Sequence, residues 1–295
     1  MDWPCLRPWR DWVAELNLTG FVGQIWLVRH VFRGIVTLSR KSMRTPHHRP
    51  SAGFTLIELL TVIAIIGILA SIIIPTVGSV RDKAQRAVDS SNIREVGKAA
   101  IIYAGDNNDR LPDPSSSPAP TITGTKVYIW AGLLAKAGVL TDATLYFSKS
   151  DPVGPATIPL SVLDATDTTK NTLNADFTAQ KPSLELVGGL KLSDPATTPV
   201  AFTRGLSTAG TWDNNSDGTG KSVYGDVGGH IAFLGGNVQY YKNLGTADAS
   251  GRLIKTNGKT TIDITQTIPK TSTQKIYGNG GTIGTTAGTT PTTAN

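Results

Sequence analysis

Polarity along the chain changes abruptly at one place. From Phe54 to Pro75 the sequence FTLIELLTVIAIIGILASIIIP runs for twenty-two residues with a single formal charge, Glu58. At about 1.5 Å per residue, a helix of that length covers the roughly 30 Å hydrocarbon core of a bilayer. Leu59 to Ile74 is apolar on every side. A core helix of a soluble protein keeps a polar stripe at a 3.6 period, so the pattern predicts one membrane-spanning helix over 54–80. After Pro75 the pattern becomes amphipathic. Ala84, Val88, Val96, Ala99, Ala100 and Tyr103 recur at spacings of three, four or their sums, with Arg81, Arg86, Arg94 and Lys98 elsewhere. This predicts that the helix continues over 81–104 with one face laid on a domain, and that Gly105 and the polar run after it end it.

The remaining patterns place an α+β body over 105–277. Trp130, Leu133, Leu134, Ala137 and Leu140 are helically spaced and predict a helix over Tyr128–Leu140. Short strands are expected at Leu145–Phe147 and Pro199–Thr203, among Asp-Pro and Thr-rich turns. His230 to Tyr241, HIAFLGGNVQYY, reads as a hairpin. A two-residue turn at Gly235-Gly236 would pair Phe233 with Val238 and Ile231 with Tyr240, giving a shared apolar face for the long helix. Residues 278–295 hold seven Thr and five Gly and are expected to form a disordered tail. The fold class is therefore α+β, a long N-terminal α-helix packed on a small antiparallel β-sheet.

Charge changes the picture by its distribution. The chain of 295 residues carries a net +6, but residues 1–53 hold eight Lys or Arg against Asp2, Asp11 and Glu15, so +5 of it lies there. The remainder is nearly neutral, which removes nucleic acid as a partner. The only cysteine, Cys5, and three of the four histidines also precede residue 54. Disulfides, thiolate metal sites and multi-histidine centres are thereby excluded from the body.

A secretory signal would carry its cleavage site after the apolar run. Here the distinctive junction precedes it. Gly53, Phe54, Thr55, Leu56, Ile57 and Glu58, with basic residues upstream, resemble the processing site of type IV prepilins and type II secretion pseudopilins. The resemblance implies a pilin-like fold and a prepilin peptidase that cuts after Gly53 and methylates the new terminal amine of Phe54. It implies that Glu58, the acid at the fifth mature position, neutralises the amine of a neighbouring subunit, against the alternative that its carboxylate only snorkels to water. It also implies a leader in the cytoplasm and a C-terminal domain exported from the bacterial inner membrane. The flanking bases are balanced and do not set orientation by themselves. Other pilin or pseudopilin subunits, an inner-membrane assembly platform and membrane lipid are the implied partners.

Translation from Met43 would give the short acid-free leader MRTPHHRPSAG, so residues 1–42 are expected to be an overlong gene start, against a genuine long leader. Pro75 lacks an N–H, leaves the Ser71 carbonyl without its helical partner, and is expected to kink or loosen the helix. The hairpin, YAGDNNDRLP and the Trp130 region resemble a prepilin-like family abundant in planctomycetes and verrucomicrobia, with Gly235, Gly236 and Asn237 standing where Asp, Gly and His are expected.

Two further constellations bear on chemistry. Asp213, Asn215 and Asp217, followed by Gly218, open like a calcium loop, with Asp226 as a later ligand. Tyr224 stands where a closing Glu would be, and Asp, Asn and Gly also suit a solvated turn. The resemblance adds to the calcium reading, since major pseudopilins commonly bind Ca2+ in a C-terminal loop. Ser222, Asp226 and His230 share a four-residue spacing, but Gly225, Gly228 and Gly229 oppose the helix that would align them, so no catalytic role is expected. Two functions stay open: a structural subunit of a pseudopilus or pilus-like filament, or a membrane-tethered binding module that uses a pilin-type export signal.

Overall fold

The computed structural model describes residues 54–212, 222–245, 252–269, 274–278 and 283. The leader, the Asp213–Asp217 loop and most of the expected tail lie outside the described residues. Two compact units divide the chain, 1–62 and 63–295.

Helix α1 spans Leu56–Asp106, 51 residues and about 77 Å at standard rise. Large apolar side chains from Phe54 through Val80 are exposed all round it, Leu56 by 79% and Ile74 by 73%. It is long and apolar enough to cross a membrane. The few hydroxyls in this part bond back to carbonyls three residues earlier: Thr61 to Glu58 at 3.0 Å, Ser71 to Ile68 at 2.7 Å, Thr76 to Ile73 at 2.8 Å, and Ser79 to Thr76 at 3.0 Å. The helix continues through Pro75, so the missing N–H does not end the element.

The second half of α1 is amphipathic as expected: Val96, Ala99 and Ala100 are buried and Tyr103 is half-buried, and the stripe departs from expectation only in its first two turns. Asp89, Ile93, Val96, Gly97, Ala100 and Ala104 face inward, while Ala84 and Val88 are exposed. The end of the helix also differs. Gly105 remains inside it, and the chain reverses at Asn108 and Asp109, both left-handed with φ of 55° and 58°. The Asn107 amide donates to the Tyr103 carbonyl at 2.8 Å, and Asp109 N–H to that of Ala104 at 3.0 Å, covering carbonyls the helix leaves open.

Helix α2 covers Lys126–Lys136, shorter at its C-terminus than the periodicity suggested, and buries Trp130, whose Nε1 donates to the Val187 carbonyl at 3.0 Å. The expected strand at Leu145–Phe147 is instead a 3-10 turn, Ala143–Tyr146. The Asp142 carboxylate accepts from Thr144 N–H at 2.8 Å and turns the chain there. A single helical turn, α3, follows at Ala175–Thr178.

Seven short strands are described: β1 Leu184–Gly188, β2 Pro199–Thr203, β3 Gly229–Phe233, β4 Val238–Tyr241, β5 Leu253–Ile254, β6 Thr260–Thr261 and β7 Lys275–Tyr277. Five form an antiparallel sheet in the order β4-β3-β2-β1-β7, and β5 and β6 form a small ribbon. All positions of β1, β2 and β3 are buried, so the centre of the sheet is covered on both faces. Ile283, the described residue beyond Gly278, is buried against the same core.

The β3–β4 hairpin is present, with its register one residue away from expectation. His230 pairs with Tyr240, Ile231 with Gln239 and Ala232 with Val238. The cause is the turn. Gly236 N–H donates to Phe233 O at 2.9 Å, and Phe233 N–H to Asn237 O at 3.0 Å, with Gly236 at φ +82°. That is a type I turn closed by a left-handed glycine, one residue longer than the assumed loop. A one-residue slip exchanges faces. His230, Ala232, Val238 and Tyr240 now share a side, and Ala232 lies against α1 at Gly97, where an added Cβ would sit 3.6 Å from the alanine methyl.

Candidate processing and assembly segment

The start of α1 is capped by its own sequence. Thr55 precedes the first helical residue, and Glu58 is the third residue of the helix. Glu58 N–H donates to Thr55 Oγ1 at 3.3 Å, while Thr55 N–H and its hydroxyl both donate to Glu58 Oε2 at 2.8 Å. This reciprocal pair is a capping box, which satisfies donors that the first turn would otherwise leave open. No described residue donates to Glu58 Oε1. Phe54, immediately before the box, is 79% exposed. Gly53, the expected cleavage residue, lies outside the described residues. The sequence T-x-x-E ahead of an apolar run was the readable signal for this cap, and it places the carboxylate at the helix's N-terminal end.

A second cluster fastens the amphipathic half of α1 to the body. The buried Asp89 carboxylate accepts from Gln85 Nε2 at 3.0 Å, Ser148 Oγ at 2.5 Å and the Tyr224 hydroxyl at 2.5 Å. Ser148 N–H donates to Ser183 Oγ at 2.9 Å, and Ser183 Oγ to Asp151 Oδ2 at 2.7 Å. Asp151 Oδ1 takes Arg204 Nη2 at 2.6 Å in an ion pair whose side chains are 0% and 1% exposed. The chain of bonds thus runs from α1 to a fully buried charge pair beside the sheet. Such pairs fix geometry more than they stabilise, and breaking one partner is expensive.

Around Tyr224 the cluster is aromatic and basic. The rings of His230 and Tyr240 lie 5.0 Å apart, and the Arg86 guanidinium stands 5.6 Å from the Tyr224 ring centre and 5.5 Å from that of Tyr240. Burial, reinforced by the Asp89 carboxylate, holds the Tyr224 phenol far above its ordinary range. Burial lowers His230 to about 4, with Asp89 opposing the shift and Arg86 adding to it. His230 is therefore neutral at physiological pH. Sequence reading missed Asp89 as an anchor, because a carboxylate on the inward stripe looks like a break in the apolar pattern. Its position four residues before Ile93 was the available clue.

The other expected residues are not gathered into a site. Asp226 lies on a 3-10 turn, Gly225–Val227, while Asp213, Asn215 and Asp217 lie outside the described residues. Among the described residues, no three His, Cys, Asp or Glu form a metal-holding group. Ser222 is buried with no hydrogen-bond partner for its Oγ among the described residues, and His230 meets Tyr224 at 3.5 Å. Ser222, Asp226 and His230 therefore form no hydrogen-bonded triad.

Comparison with known proteins bears on the first part of the chain. Residues 48–74 match the prokaryotic N-terminal methylation motif. Over 59 residues the chain is 41% identical to the type II secretion system core protein G of Pseudomonas aeruginosa, covering 20% of this chain and 42% of that protein. Over 60 residues it is 45% identical to the type IV wide pilus major component PilA4 of Thermus thermophilus, covering 20% and 46%. A 75-residue match at 39% identity to the core protein G of Klebsiella michiganensis covers 25% and 52%. The chain thus spans about half the length of the curated relatives it matches. No solved structure matches it significantly. Apolar helix, capped N-terminal carboxylate and matched motif coincide in one segment, and over that segment the chain is similar to type II secretion core proteins G and a type IV pilus component.

Proposed function

We propose that the chain is a structural, non-enzymatic subunit of a pilin-type filament, a type II secretion pseudopilus or a type IV pilus-like assembly. Prepilin peptidase cuts after Gly53 and methylates Phe54. The subunit waits in the inner membrane with its body exported, and joins other subunits at an assembly platform through α1. The observation that carries this reading is the apolar surface of α1, exposed on every side from Phe54 to Val80 and headed by a capped carboxylate. An anchor alone needs about 20 residues. The names of the matched relatives, filament and secretion-system proteins, support the same reading.

Cleavage creates an ammonium at Phe54. In a dry array of helices that charge needs a partner. Glu58 offers Oε1, which no described residue fills, while Oε2 keeps the cap intact. An acid at the middle of a bilayer costs about 2.5–3.5 kcal/mol on insertion; at the helix end Glu58 costs less, and in a packed array of helices it gives the ammonium a partner.

The test is Glu58→Leu, compared with wild type by cross-linking in the membrane after equal processing has been verified. The variant should insert and be cut normally, yet lose the cross-linked ladder, because each subunit would bury an unpaired ammonium. Equal ladders would overturn the pairing. No ladder in either protein would overturn the filament reading and leave a tethered module.

A further inference from the structure

Where α1 ends, the chain builds a recess that neither the membrane helix nor the filament reading uses. It is a cleft of about 550 Å³ lined by Tyr103, Asn107, Asn108, Arg110, Asp113 and Lys136, among others. That volume lies in the range of small-molecule sites, roughly 300–1,000 Å³. Its floor is held firmly. Leu111 N–H donates to Leu190 O at 2.8 Å and Leu192 N–H to Asp109 O at 2.9 Å, so the turn after α1 is strapped to the segment following β1.

We infer that this cleft is a saccharide-binding site, in which the Tyr103 ring receives the C–H face of a sugar and Asn108, Arg110 and Asp113 hold its hydroxyls.

The lining explains the ligand class. Asp113 is 9% exposed, and its Oδ1 accepts from Ser115 N–H at 2.8 Å, whereas no described residue donates to Oδ2. It makes no ion pair among the described residues, although Lys126, Arg110 and Lys275 act on it from a distance. Burial pushes its carboxyl upward against those bases. A hydroxyl donor from a ligand relieves that desolvation. Arg110 is exposed, and no described hydrogen bond or ion pair occupies its guanidinium. The Asn107 amide is spent on the Tyr103 carbonyl, which leaves its oxygen as an acceptor. Lys136 is also engaged, donating to Thr121 Oγ1 at 2.6 Å and to Asn171 Oδ1 at 2.5 Å.

With Lys136 committed to Thr121 and Asn171, the charges the cleft leaves uncommitted are the Arg110 guanidinium and the Asp113 carboxylate, which suits a neutral polar ligand better than a strong anion or cation. Planar, paired donors and acceptors beside a tyrosine suit a ring bearing adjacent hydroxyls.

The test uses the full chain, labelled and kept as dispersed subunits in a detergent without a sugar headgroup, on an array of neutral and acidic glycans. At least one glycan should bind, and its affinity is then titrated. Arg110→Ala and Asn108→Gly should each weaken that affinity about tenfold or more, the effect of losing a charged or amide hydrogen bond. The melting temperature should not change, since Arg110 is exposed and glycine tolerates the left-handed φ of 55° at position 108. No glycan above background would overturn the inference. So would binding that both variants leave intact, or binding displaced by inorganic sulfate, which would mark a simple anion site. Because the subunits are dispersed, the result does not depend on whether they assemble.

Discussion

His230 couples acidity to the attachment of α1. Its ring sits between Tyr224 and Tyr240, with Asp89 and Arg86 as the charged groups of α1 that act on it. The folded imidazole titrates near 4, against an ordinary value of 6.5. Above about pH 6.5 neither state binds the proton and the stabilisation is complete; as pH falls toward 4 the unfolded chain takes the proton first and stability declines. Asp113 acts in the opposite sense, because its raised folded value favours the fold at acid pH and loses that contribution as pH rises. Asp164 and Asp167, lowered by hydrogen bonds to Thr166 and Thr169, lose their contribution only as pH falls below the ordinary carboxylate range. His230→Asn isolates the histidine. The drop in melting temperature between about pH 7.5 and about pH 5 should be smaller in the variant than in wild type. An equal drop would show that the folded chain protonates His230 freely.

Elements formed where local chemistry and burial agreed, and differed from expectation where a single side chain overruled the pattern. The long helix was legible because twenty-two nearly uncharged residues leave no alternative. Strand β2 was legible at its observed bounds, Pro199–Thr203. Strand β1 was not, because a strand covered on both faces loses the alternation that marks a half-buried one, and LELVG carries the buried Glu185. The hairpin register failed on one residue of turn length, and the inward stripe of α1 held from Val96 to Tyr103 but placed Asp89 inward where Ala84 and Val88 were expected. Of the candidate segment, the junction and Glu58 were readable from sequence. The Asp89 cluster was not, since it joins residues far apart in the chain, and the cleft was not, since the polar run from Asn107 to Asp113 reads simply as the end of a helix. The α1–β3 contact yields a prediction. An added Cβ at Gly97 would meet the Ala232 methyl at 3.6 Å, an ordinary contact. Gly97→Ala therefore gains helix propensity without a clash and should stabilise the body by about 0.5–1 kcal/mol, measured by urea unfolding. Destabilisation would mean that α1 and β3 lie closer than this.

At the scale of the whole molecule, the charge divides at the junction where the proposed cut falls. Residues 1–53 hold +5 of the net +6, so the proposed cut after Gly53 would leave a chain near neutrality. Gly53→Val should block the cut, and the retained leader should shift the isoelectric point upward by the equivalent of five charges, or of two if translation begins at Met43. Isoelectric focusing distinguishes the two starts, and mass spectrometry of wild type should find N-methylated Phe54. A wild-type chain that keeps its leader in cells containing the peptidase would refute processing. The hydroxyls of α1 carry one more consequence. Thr61, Ser71, Thr76 and Ser79 each close a hydrogen bond within the helix. The segment can therefore leave a lipid surrounding and enter a protein one without exchanging those bonds. Since lipid tails and apolar side chains are comparable surroundings, the transfer is nearly neutral in solvation, and its direction is set by shape and by the charge at its end.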